Sequence, residues 1–361
     1  MRNESDRIKL QLDGNKLLNH LDRVEDWMSN PMDIAPIYVA FSPSSMCNHK
    51  CTFCVYHYKE FKPIYFPIER YMSLVEELKE VDVKSIFFAG DGDPLMNKDC
   101  VEMVEKTKAE GIDIALNTNG RLLNAKKAES LAQNLSWIRI SMNAGTRDNY
   151  SQIHGTQKKD FDKVIENIQH LVKYKKMYGR EDFIIGIQCL LLEENFLEIR
   201  DMAKMLKELG VDYLAIKPFL KHPLIKYSTE VKNKVEVLKE LKKAESLNDE
   251  NFKFVLRENN FLQESGQRSY KKCLSGPFMI EIDARGDVYS CGPYIGNNDH
   301  KYGNIMNQNF QMMWQSDERK EKMKFIQEKL DVKNCMPFCR PDSVNRFLWE
   351  VKNPPMHVNF I

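Results

Sequence analysis

The sequence predicts an α/β protein that combines a partial (β/α)6 TIM-like barrel with a smaller C-terminal α+β domain. Three observations support this prediction. Between about residues 37 and 218, short β-rich runs alternate with amphipathic helical stretches, which is the pattern of repeated βα units around a parallel sheet. After Cys273 the pattern changes to two short strands joined by a turn. The length of 361 residues is sufficient for one large core and a smaller module.

Six short runs are predicted to be the barrel strands, because they are β-rich and alternate with helical patterns. These strands are Ile37–Phe41, Ser85–Ala89, Asp113–Asn117, Trp137–Met142, Phe183–Leu191 and Tyr213–Lys217. The stretches between them carry apolar residues at helical spacing and are predicted to cover the outside of the barrel. These helices are Ile68–Val81, Asp99–Glu110, Ala125–Asn134, Phe161–Tyr178 and Leu197–Leu209.

The segments on either side of the barrel are assigned by composition. The first 36 residues are predicted to pack as an amphipathic helix against the barrel, through Leu10, Leu12, Leu17, Leu18 and Leu21. From about residue 226 to residue 261, Lys, Glu and Asn surround an amphipathic core, which indicates a bridging helix. In the C-terminal part, the run from Phe278 to Cys291 predicts a hairpin whose turn lies at Ala284–Asp287, where Gly286 can supply a positive φ.

We therefore expect five segments along the chain: a helical extension, the barrel, a helical linker, the hairpin domain and a C-terminal tail. They cover residues 1–36, 37–225, 226–265, 266–345 and 346–361.

Composition restricts the classes of function. Lys and Arg number 53 against 52 Asp and Glu, so there is no summed positive field to hold a nucleic acid. The N-terminus has no apolar signal region and no run of 18 apolar residues follows, so we expect a cytoplasmic protein without a membrane partner. With no export signal, the nine cysteines indicate metal or redox chemistry rather than disulfides.

The first group of cysteines follows the first predicted strand. Cys47, Cys51 and Cys54 have the spacing C-x3-C-x2-C. Thiolate is the usual protein ligand of a 4Fe-4S cluster, and three thiolates leave one iron open to a small molecule. A zinc site, or three buried cysteines, is the alternative, since His49 and His57 are near enough in sequence to complete a zinc site.

This motif resembles the hallmark of the radical S-adenosylmethionine (SAM) superfamily, in which an aromatic residue precedes the third cysteine. Here that residue is Phe53. The loop from Gly90 to Pro94, after the second strand, is similar to the family's Gly-Gly-Glu-Pro loop, with Asp93 in the place of Glu. The ends of the third and fourth strands also carry polar residues, at the position where parallel α/β barrels build active sites.

The resemblance implies which residues bind SAM. Those in the loop after the second strand would receive the amino group of its methionine moiety: Gly90, Gly92, Asp93 and Pro94. At the end of the third strand, Asn119 would belong to the cofactor site. The segment of the fourth strand would hold the ribose and carboxylate through Arg139, Ser141 and Asn143. Taken singly, each of these segments could instead be a turn or satisfy backbone groups.

The second group of cysteines surrounds the predicted hairpin. Cys273 and Cys291 lie in the pattern C-x12-G-x4-C, and Cys335 and Cys339 follow as C-x3-C. This resembles the auxiliary-cluster module of the superfamily in its short "twitch" form with four ligands, rather than the seven-cysteine SPASM form. The final C-x3-C departs from the expected C-x2-C, and a structural zinc site is the alternative. Four thiolates would saturate a second 4Fe-4S cluster, which suits electron transfer.

The resemblance also implies a reaction and its partners. In family enzymes the reduced first cluster gives one electron to bound SAM, which splits into methionine and a 5′-deoxyadenosyl radical that abstracts a hydrogen atom. The cluster is reduced by an external donor such as flavodoxin or ferredoxin. We expect a dehydrogenase-type oxidation of a small molecule, such as a sugar or sugar nucleotide, in which the second cluster accepts an electron. The alternatives are an epimerase, a peptide-modifying maturase, and a non-catalytic iron–sulfur or zinc protein.

Two further residues are candidates for catalysis. Lys217, at the end of the sixth strand, could bind an anionic group or serve as a base, although a solvated lysine is the alternative. Cys189, near the middle of the fifth strand, is the candidate hydrogen donor of an epimerase, provided that it faces the lumen.

Overall fold

The structure is a computed structural model that describes residues 14–58, 62–219, 231–257, 261, 268–336 and 339–360. The described residues form two compact units. The barrel unit comprises those of Phe41–Val75 and Ser85–Leu262, and the C-terminal unit comprises those of Met1–Ala40, Glu76–Lys84 and Gln263–Ile361.

The strands and helices alternate through most of the chain. The strands are β1 (Tyr38–Phe41), β2 (Ser85–Phe88), β3 (Asp113–Thr118), β4 (Trp137–Ser141), β5 (Ile184–Leu191), β6 (Tyr213–Pro218), β7 (Lys253–Leu256), β8 (Met279–Ile282), β9 (Asp287–Tyr289) and β10 (Lys301–Asn304). The helices are α1 (Leu21–Ser29), α2 (Val55–Tyr58), α3 (Ile68–Glu80), α4 (Cys100–Ala109), α5 (Ala125–Asn134), α6 (Arg147–His154), α7 (Lys158–Met177), α8 (Ile199–Leu209), α9 (Lys234–Lys242), α10 (Phe310–Gln315), α11 (Asp317–Lys329) and α12 (Pro341–Lys352).

The parallel sheet of the barrel unit confirms the predicted strands. Strands β2 to β7 are neighbours in chain order, and all of their pairings are parallel. Each of the six predicted strands is present, with ends that differ by one residue. The five predicted helices are also present, as α3, α4, α5, α7 and α8. The short helix α6, which Gly155 ends in a left-handed conformation, was not predicted.

A seventh parallel strand lies where the sequence analysis expected only helix. Strand β7 pairs with β6, with Phe254 opposite Leu214, and Phe254 is buried. Helix α9 lies within the predicted bridging helix, whereas residues 226–230 and 258–260 of that prediction lie outside the described residues. The prediction failed because a four-residue strand is too short to show a clear period.

The two faces of the parallel sheet differ in polarity. On β4, Ile138 and Ile140 are fully buried, while Trp137, Arg139 and Ser141 lie on the opposite face. We call the latter the inner face, and the register extends it across the neighbouring strands. Asn117 lies opposite Arg139, and Gln188 opposite Ser141. Polar side chains are therefore gathered on one face toward the ends of these strands.

The C-terminal unit contains the predicted hairpin. Strands β8 and β9 pair antiparallel, and Gly286 in their turn has φ +78°, which confirms the prediction. Strand β10, which was not predicted, adds to β9. Asp283 stabilises the turn by accepting hydrogen bonds from the N–H groups of Arg285 and Asp287, at 2.8 and 3.0 Å.

The N-terminal segment packs within this same unit. Leu17 lies in a hydrophobic cluster with Trp27, Phe278 and Leu348 of the C-terminal unit, and the same cluster includes Ile37, the first residue of the first predicted barrel strand. Both Leu18 and Leu21 are exposed, and Leu10 and Leu12 lie outside the described residues. Among the described residues, no helix has the length and apolar character needed to cross a membrane.

Candidate functional site

The first cysteine loop is held by the C-terminal end of α6. The backbone N–H groups of Lys50 and Thr52 donate hydrogen bonds to the carbonyls of His154 and Ile153, both at 3.0 Å. A Cβ at Gly155 would lie 2.3 Å from the Lys50 carbonyl oxygen, so only glycine permits this approach. The helix end therefore fixes the path of the loop that carries Cys47, Cys51 and Cys54.

Hydrogen-bond donors surround the sulfur atoms of this loop. The His49 backbone N–H and the Asn119 Nδ2 donate to Cys47 Sγ, at 3.5 and 3.7 Å. The Cys51 Sγ lies 3.4 Å from His154 Nδ1. Burial, together with the other two thiols, raises the pKa of Cys51 well above its ordinary value, whereas bound iron would favour its thiolate. This donor set fits an iron–sulfur cluster held by the three cysteines.

Two buried histidines adjoin the loop. Burial lowers the pKa of His49 to about 4 and that of His154 to about 3. Ligand atoms of His49, Cys51 and His154 lie within 4.8 Å of one another, so the geometry alone also permits a metal ion there. The sequence analysis missed His154, whose sequence signal is limited to its place before a helix-ending glycine. The side chain of His57 lies outside what the structure describes.

The loop after β2 is shaped by close approach to the cysteine loop. Gly90 has φ +119°, and a Cβ at Gly92 would lie 2.3 Å from the Met46 carbonyl oxygen. The Asp93 N–H donates to the same carbonyl at 2.7 Å. Pro94 is buried at the start of a single 3-10 turn that the Asp93 side chain caps by accepting from Leu95 N. The predicted loop residues therefore lie beside the cysteine loop.

The polar residues on β3, after β3 and on β4 form two separate groups, each joined by hydrogen bonds. Asn119 lies against the cysteine loop, because its Nδ2 also donates to Asn48 at 2.7 Å. Further along the inner face, Arg139 Nε donates to Asn117 Oδ1 at 3.0 Å, and Asn117 Nδ2 donates to Ser141 Oγ at 3.4 Å. Arg139 also stacks on Phe87 and Trp137.

Asn143 is buried and occupied by internal contacts. Its Oδ1 accepts from Leu190 N at 2.7 Å, and its backbone N–H donates to His154 Nε2 at 3.1 Å. The side chain therefore links the ends of β4 and β5 beside the histidine that contacts Cys51. Phe53 lies close to the same histidine, with 6.3 Å between ring centroids.

The structure does not bring Cys189 together with these residues. Cys189 lies on the face opposite Gln188, is fully buried and receives a hydrogen bond from Asn195 Nδ2 at 3.5 Å. Burial raises its pKa above the ordinary value. We therefore withdraw Cys189 as a hydrogen donor, since the register turns it away from the inner face. Lys217, in contrast, is half-buried on the inner face, opposite Leu190.

The second cysteine group lines one cavity of the C-terminal unit. All four thiols, those of Cys273, Cys291, Cys335 and Cys339, line the same cavity. Apolar side chains such as Met323 and Ile326 form much of the remaining wall. Asn345 Nδ2 donates to Cys273 Sγ at 3.5 Å, and Tyr294 Oη lies 3.9 Å from Cys335 Sγ. Four thiols around one apolar cavity fit a fully ligated cluster.

Arg268 contacts the C-x3-C segment beside this cavity. Its side chain is 4% exposed, and its guanidinium donates to the carbonyls of Val332 and Met336, at 2.8 and 2.9 Å. The same guanidinium forms an ion pair with Asp342 at 2.5 Å and lies 3.8 Å from Cys339 Sγ. A fixed positive charge therefore lies beside one of the four sulfur atoms. Arg268 was not among the residues predicted from the sequence.

Two family models match the chain. Residues 41–206 match the model of the Radical SAM superfamily, and residues 273–341 match SPASM, an iron–sulfur cluster-binding domain. These two ranges contain the seven cysteines predicted as ligands. The predicted cofactors, SAM with an iron–sulfur cluster in the barrel and a further cluster in the C-terminal domain, are confirmed.

Curated relatives match part of the chain. A cofactor-modifying protein for tungsten-containing aldehyde ferredoxin oxidoreductase from Pyrococcus furiosus is 25% identical over 186 residues, which are 51% of this chain and 51% of that protein. GTP 3′,8-cyclase from Lactiplantibacillus plantarum is 33% identical over 147 residues, 38% of this chain and 40% of the cyclase. The chain thus spans about half the length, or less, of these relatives.

Solved structures share the fold. The structure of Streptococcus suis SuiB bound to S-adenosylmethionine has a TM-score of 0.65 at 16% identity and covers 84% of this chain and 71% of SuiB. Native anSMEcpe with bound AdoMet has a TM-score of 0.59 at 22% identity, covering 80% of this chain and 84% of that one. These likenesses confirm the predicted partial TIM barrel. The chain is a member of the radical SAM superfamily with a C-terminal SPASM-type iron–sulfur cluster-binding domain.

Proposed function

We propose that this enzyme is an oxidoreductase that oxidises a small-molecule alcohol, such as a sugar or sugar nucleotide, by two electrons. When bound, SAM and the cluster at Cys47, Cys51 and Cys54 supply the radical chemistry by which this superfamily abstracts hydrogen. In the proposed reaction one hydrogen atom leaves the substrate carbon, the hydroxyl proton goes to a base, and the remaining electron goes to the C-terminal cluster. The reducing electron for SAM comes from an external donor such as flavodoxin or ferredoxin.

The observation that carries this proposal is the arrangement of four thiols around one cavity. Cys273, Cys291, Cys335 and Cys339 are sufficient to bind every iron of one cluster, which leaves no open iron for a substrate. Arg268 beside Cys339 favours an additional negative charge on that cluster. Both features support a site that accepts an electron.

The position of Cys189 argues against the epimerase alternative. An epimerase of this type needs a thiol that returns a hydrogen atom to the substrate radical. Apart from the seven ligand cysteines, the chain has Cys100 and Cys189, and both are buried. Cys189 also lies on the sheet face away from Gln188 and Lys217. Neither thiol is therefore placed to reach a substrate at the inner face.

The names of similar proteins support a small-molecule substrate rather than a peptide. The position of Lys217 supports a role for this residue in the reaction. The similar proteins include a GTP 3′,8-cyclase and a cofactor-modifying protein, whose names refer to a nucleotide and a cofactor rather than to a peptide. Lys217 lies on the inner face at the end of β6, where its ammonium group could bind an anionic substrate or act as the base. The predicted SAM site remains part of this proposal, with Asp93 acting through the shape of its loop. The other residues of the site are Phe53, Gly90, Gly92, Pro94, Asn119, Arg139, Ser141 and Asn143.

The proposal is tested by turnover of candidate sugars and sugar nucleotides after anaerobic reconstitution and reduction. We expect 5′-deoxyadenosine together with a ketone or aldehyde product that is two hydrogens lighter. Cys335→Ala should keep hydrogen abstraction but block net oxidation, and Cys189→Ala should leave product formation unchanged. Cys100→Ala serves as the control for loss of a buried thiol. An isomeric product that carries solvent deuterium, with loss of turnover in Cys189→Ala, would contradict the assignment.

A further inference from the structure

His154 contacts the cluster loop with one ring nitrogen and the barrel with the other. Its Nδ1 lies 3.4 Å from Cys51 Sγ, and its Nε2 lies 3.1 Å from the backbone nitrogen of Asn143. The residue is 1% exposed. Its ring stacks on Tyr150, with 4.2 Å between centroids and 23° between planes. Packing on one side and hydrogen bonding at both nitrogens therefore hold the ring in one orientation.

These contacts determine the tautomer. A backbone N–H can only donate, so Nε2 must accept the hydrogen bond from Asn143 and carries no proton. A neutral imidazole then carries its proton on Nδ1, which is the nitrogen that points at Cys51. The Nδ1–H is therefore directed at the sulfur of a cluster ligand.

We propose that His154 is a positioning residue that donates an Nδ1–H hydrogen bond to the Cys51 thiolate and raises the reduction potential of the barrel cluster. Hydrogen bonds to cluster sulfur atoms favour the reduced cluster, because they stabilise its additional negative charge. The other ligands have different donors, since Cys47 receives its hydrogen bonds from a backbone N–H and from Asn119. This inference depends on the cluster at Cys47, Cys51 and Cys54 and not on the substrate proposed above.

The contact between His154 and Cys51 is one of several that join the end of α6 to the cysteine loop. The loop N–H groups of Lys50 and Thr52 already bind the last carbonyls of α6, so the helix end and Cys51 move together. A substitution at His154 that preserves volume should leave those backbone contacts in place. Such a substitution would alter the hydrogen-bond donor that faces Cys51 Sγ and would leave the rest of the loop in place.

A matched pair of variants separates the donor from the packing. His154→Asn places an amide nitrogen near the Nδ1 position and keeps a donor toward Cys51. His154→Gln places an amide oxygen near the Nε2 position, so it keeps the acceptor for the Asn143 N–H and loses the donor. The control is His170→Gln on α7, whose ring contacts Glu166 outside the site. All variants are reconstituted anaerobically as full-length protein, and iron and zinc are quantified.

The primary measurement is the midpoint potential of the barrel cluster in the absence of SAM. The reduced cluster is monitored by electron paramagnetic resonance. We expect a lower potential in His154→Gln, a potential near that of the wild type in His154→Asn, and no change in His170→Gln. Electron–nuclear double resonance of the reduced wild-type cluster, with 15N-labelled histidine, should show one coupled nitrogen and an exchangeable proton. Both signals should be lost in His154→Gln.

Three results would overturn the inference. The first is an unchanged potential in an iron-replete His154→Gln protein, and the second is an equal decrease in both variants, which would indicate packing rather than hydrogen bonding. The third is zinc bound through His49, Cys51 and His154 in place of the cluster. If His154→Gln assembles no cluster, the 15N measurement on the wild type decides, because the absence of a histidine coupling there contradicts the proposal.

Discussion

Asp93 accepts hydrogen bonds from the Thr118 hydroxyl through both carboxylate oxygens, at 3.0 and 2.9 Å. It also accepts from the backbone N–H groups of Asn119 and Leu95, at 2.7 and 3.0 Å. One buried carboxylate thus joins the loop after β2 to the end of β3. Burial raises the pKa of Asp93, although these donors act in the opposite direction.

This arrangement predicts that Asp93 acts on SAM through the shape of the loop. Asp93→Asn would place an amide NH2 group against the hydroxyl and N–H donors that now face the carboxylate. Asp93→Glu would insert a methylene group into a buried site. We expect each to lower the free energy of unfolding by about 1–3 kcal/mol. Denaturant unfolding measures the effect, and Asp113→Asn, at an exposed position, is the control. Unchanged stability with lost SAM affinity would make Asp93 a direct ligand instead.

Gly92 provides a test of the contact between the two loops. Its φ is not in the left-handed region, but a Cβ would lie 2.3 Å from Met46 O and 2.6 Å from Ser44 O, both of which are backbone atoms. Gly92→Ala should therefore displace the cysteine loop, reduce the iron bound in the barrel and destabilise the unit by more than about 1 kcal/mol. The control Gly111→Ala meets no atom within 4 Å and has only the cost of a positive φ. Full iron content and SAM affinity in Gly92→Ala would disprove the close approach.

The position of Arg268 beside Cys339 leads to a prediction about the midpoint potential of the C-terminal cluster. Replacing it with Gln removes the positive charge near Cys339, so we expect a lower midpoint potential for that cluster. Arg346→Gln is a matched control, because Arg346 binds the same Asp342 at 2.9 Å but is not among the donors to Cys339. The potential is measured in protein with Cys47, Cys51 and Cys54 changed to Ala, which leaves the C-terminal cluster alone. Equal shifts in both variants would assign the effect to Asp342.

His300 predicts a pH dependence of stability in the C-terminal unit. Burial lowers the pKa of His300 to about 4, and its Nδ1 lies 2.8 Å from Ser290 Oγ. Below the ordinary pKa of about 6.5 the unfolded chain binds a proton that the folded state does not, so stability decreases as the pH falls from about 6.5 toward 4. Between about pH 7.5 and 5.5 we expect the wild type to lose about 1 kcal/mol more than His300→Asn. Parallel pH profiles in denaturant unfolding would contradict the burial of a neutral ring.

Local patterns along the sequence predicted most of the elements that build the barrel site. Strand and helix periods repeat within a few residues, so the six strands could be located from the sequence. The family resemblance placed the loops at Gly92 and Asn119 in one site with the cysteine loop. The contact between Asn119 and Cys47 agrees with this, because the carboxyl ends of parallel strands meet at one edge. The cysteine spacing similarly indicated two metal sites, because the ligands in each motif are close in sequence.

Tertiary packing decided the features that depend on contacts between distant residues or on register. His154 is 103 residues from Cys51, and Arg268 is 71 residues from Cys339, so no local pattern links either to its sulfur. Cys189 and Gln188 differ by one position, and the pleat places them on opposite faces of β5. The sequence by itself predicted most of the elements, the cysteines proposed as cluster ligands and the family. Only the folded chain determined which side chains surround each thiol, because those contacts depend on how helices and strands pack.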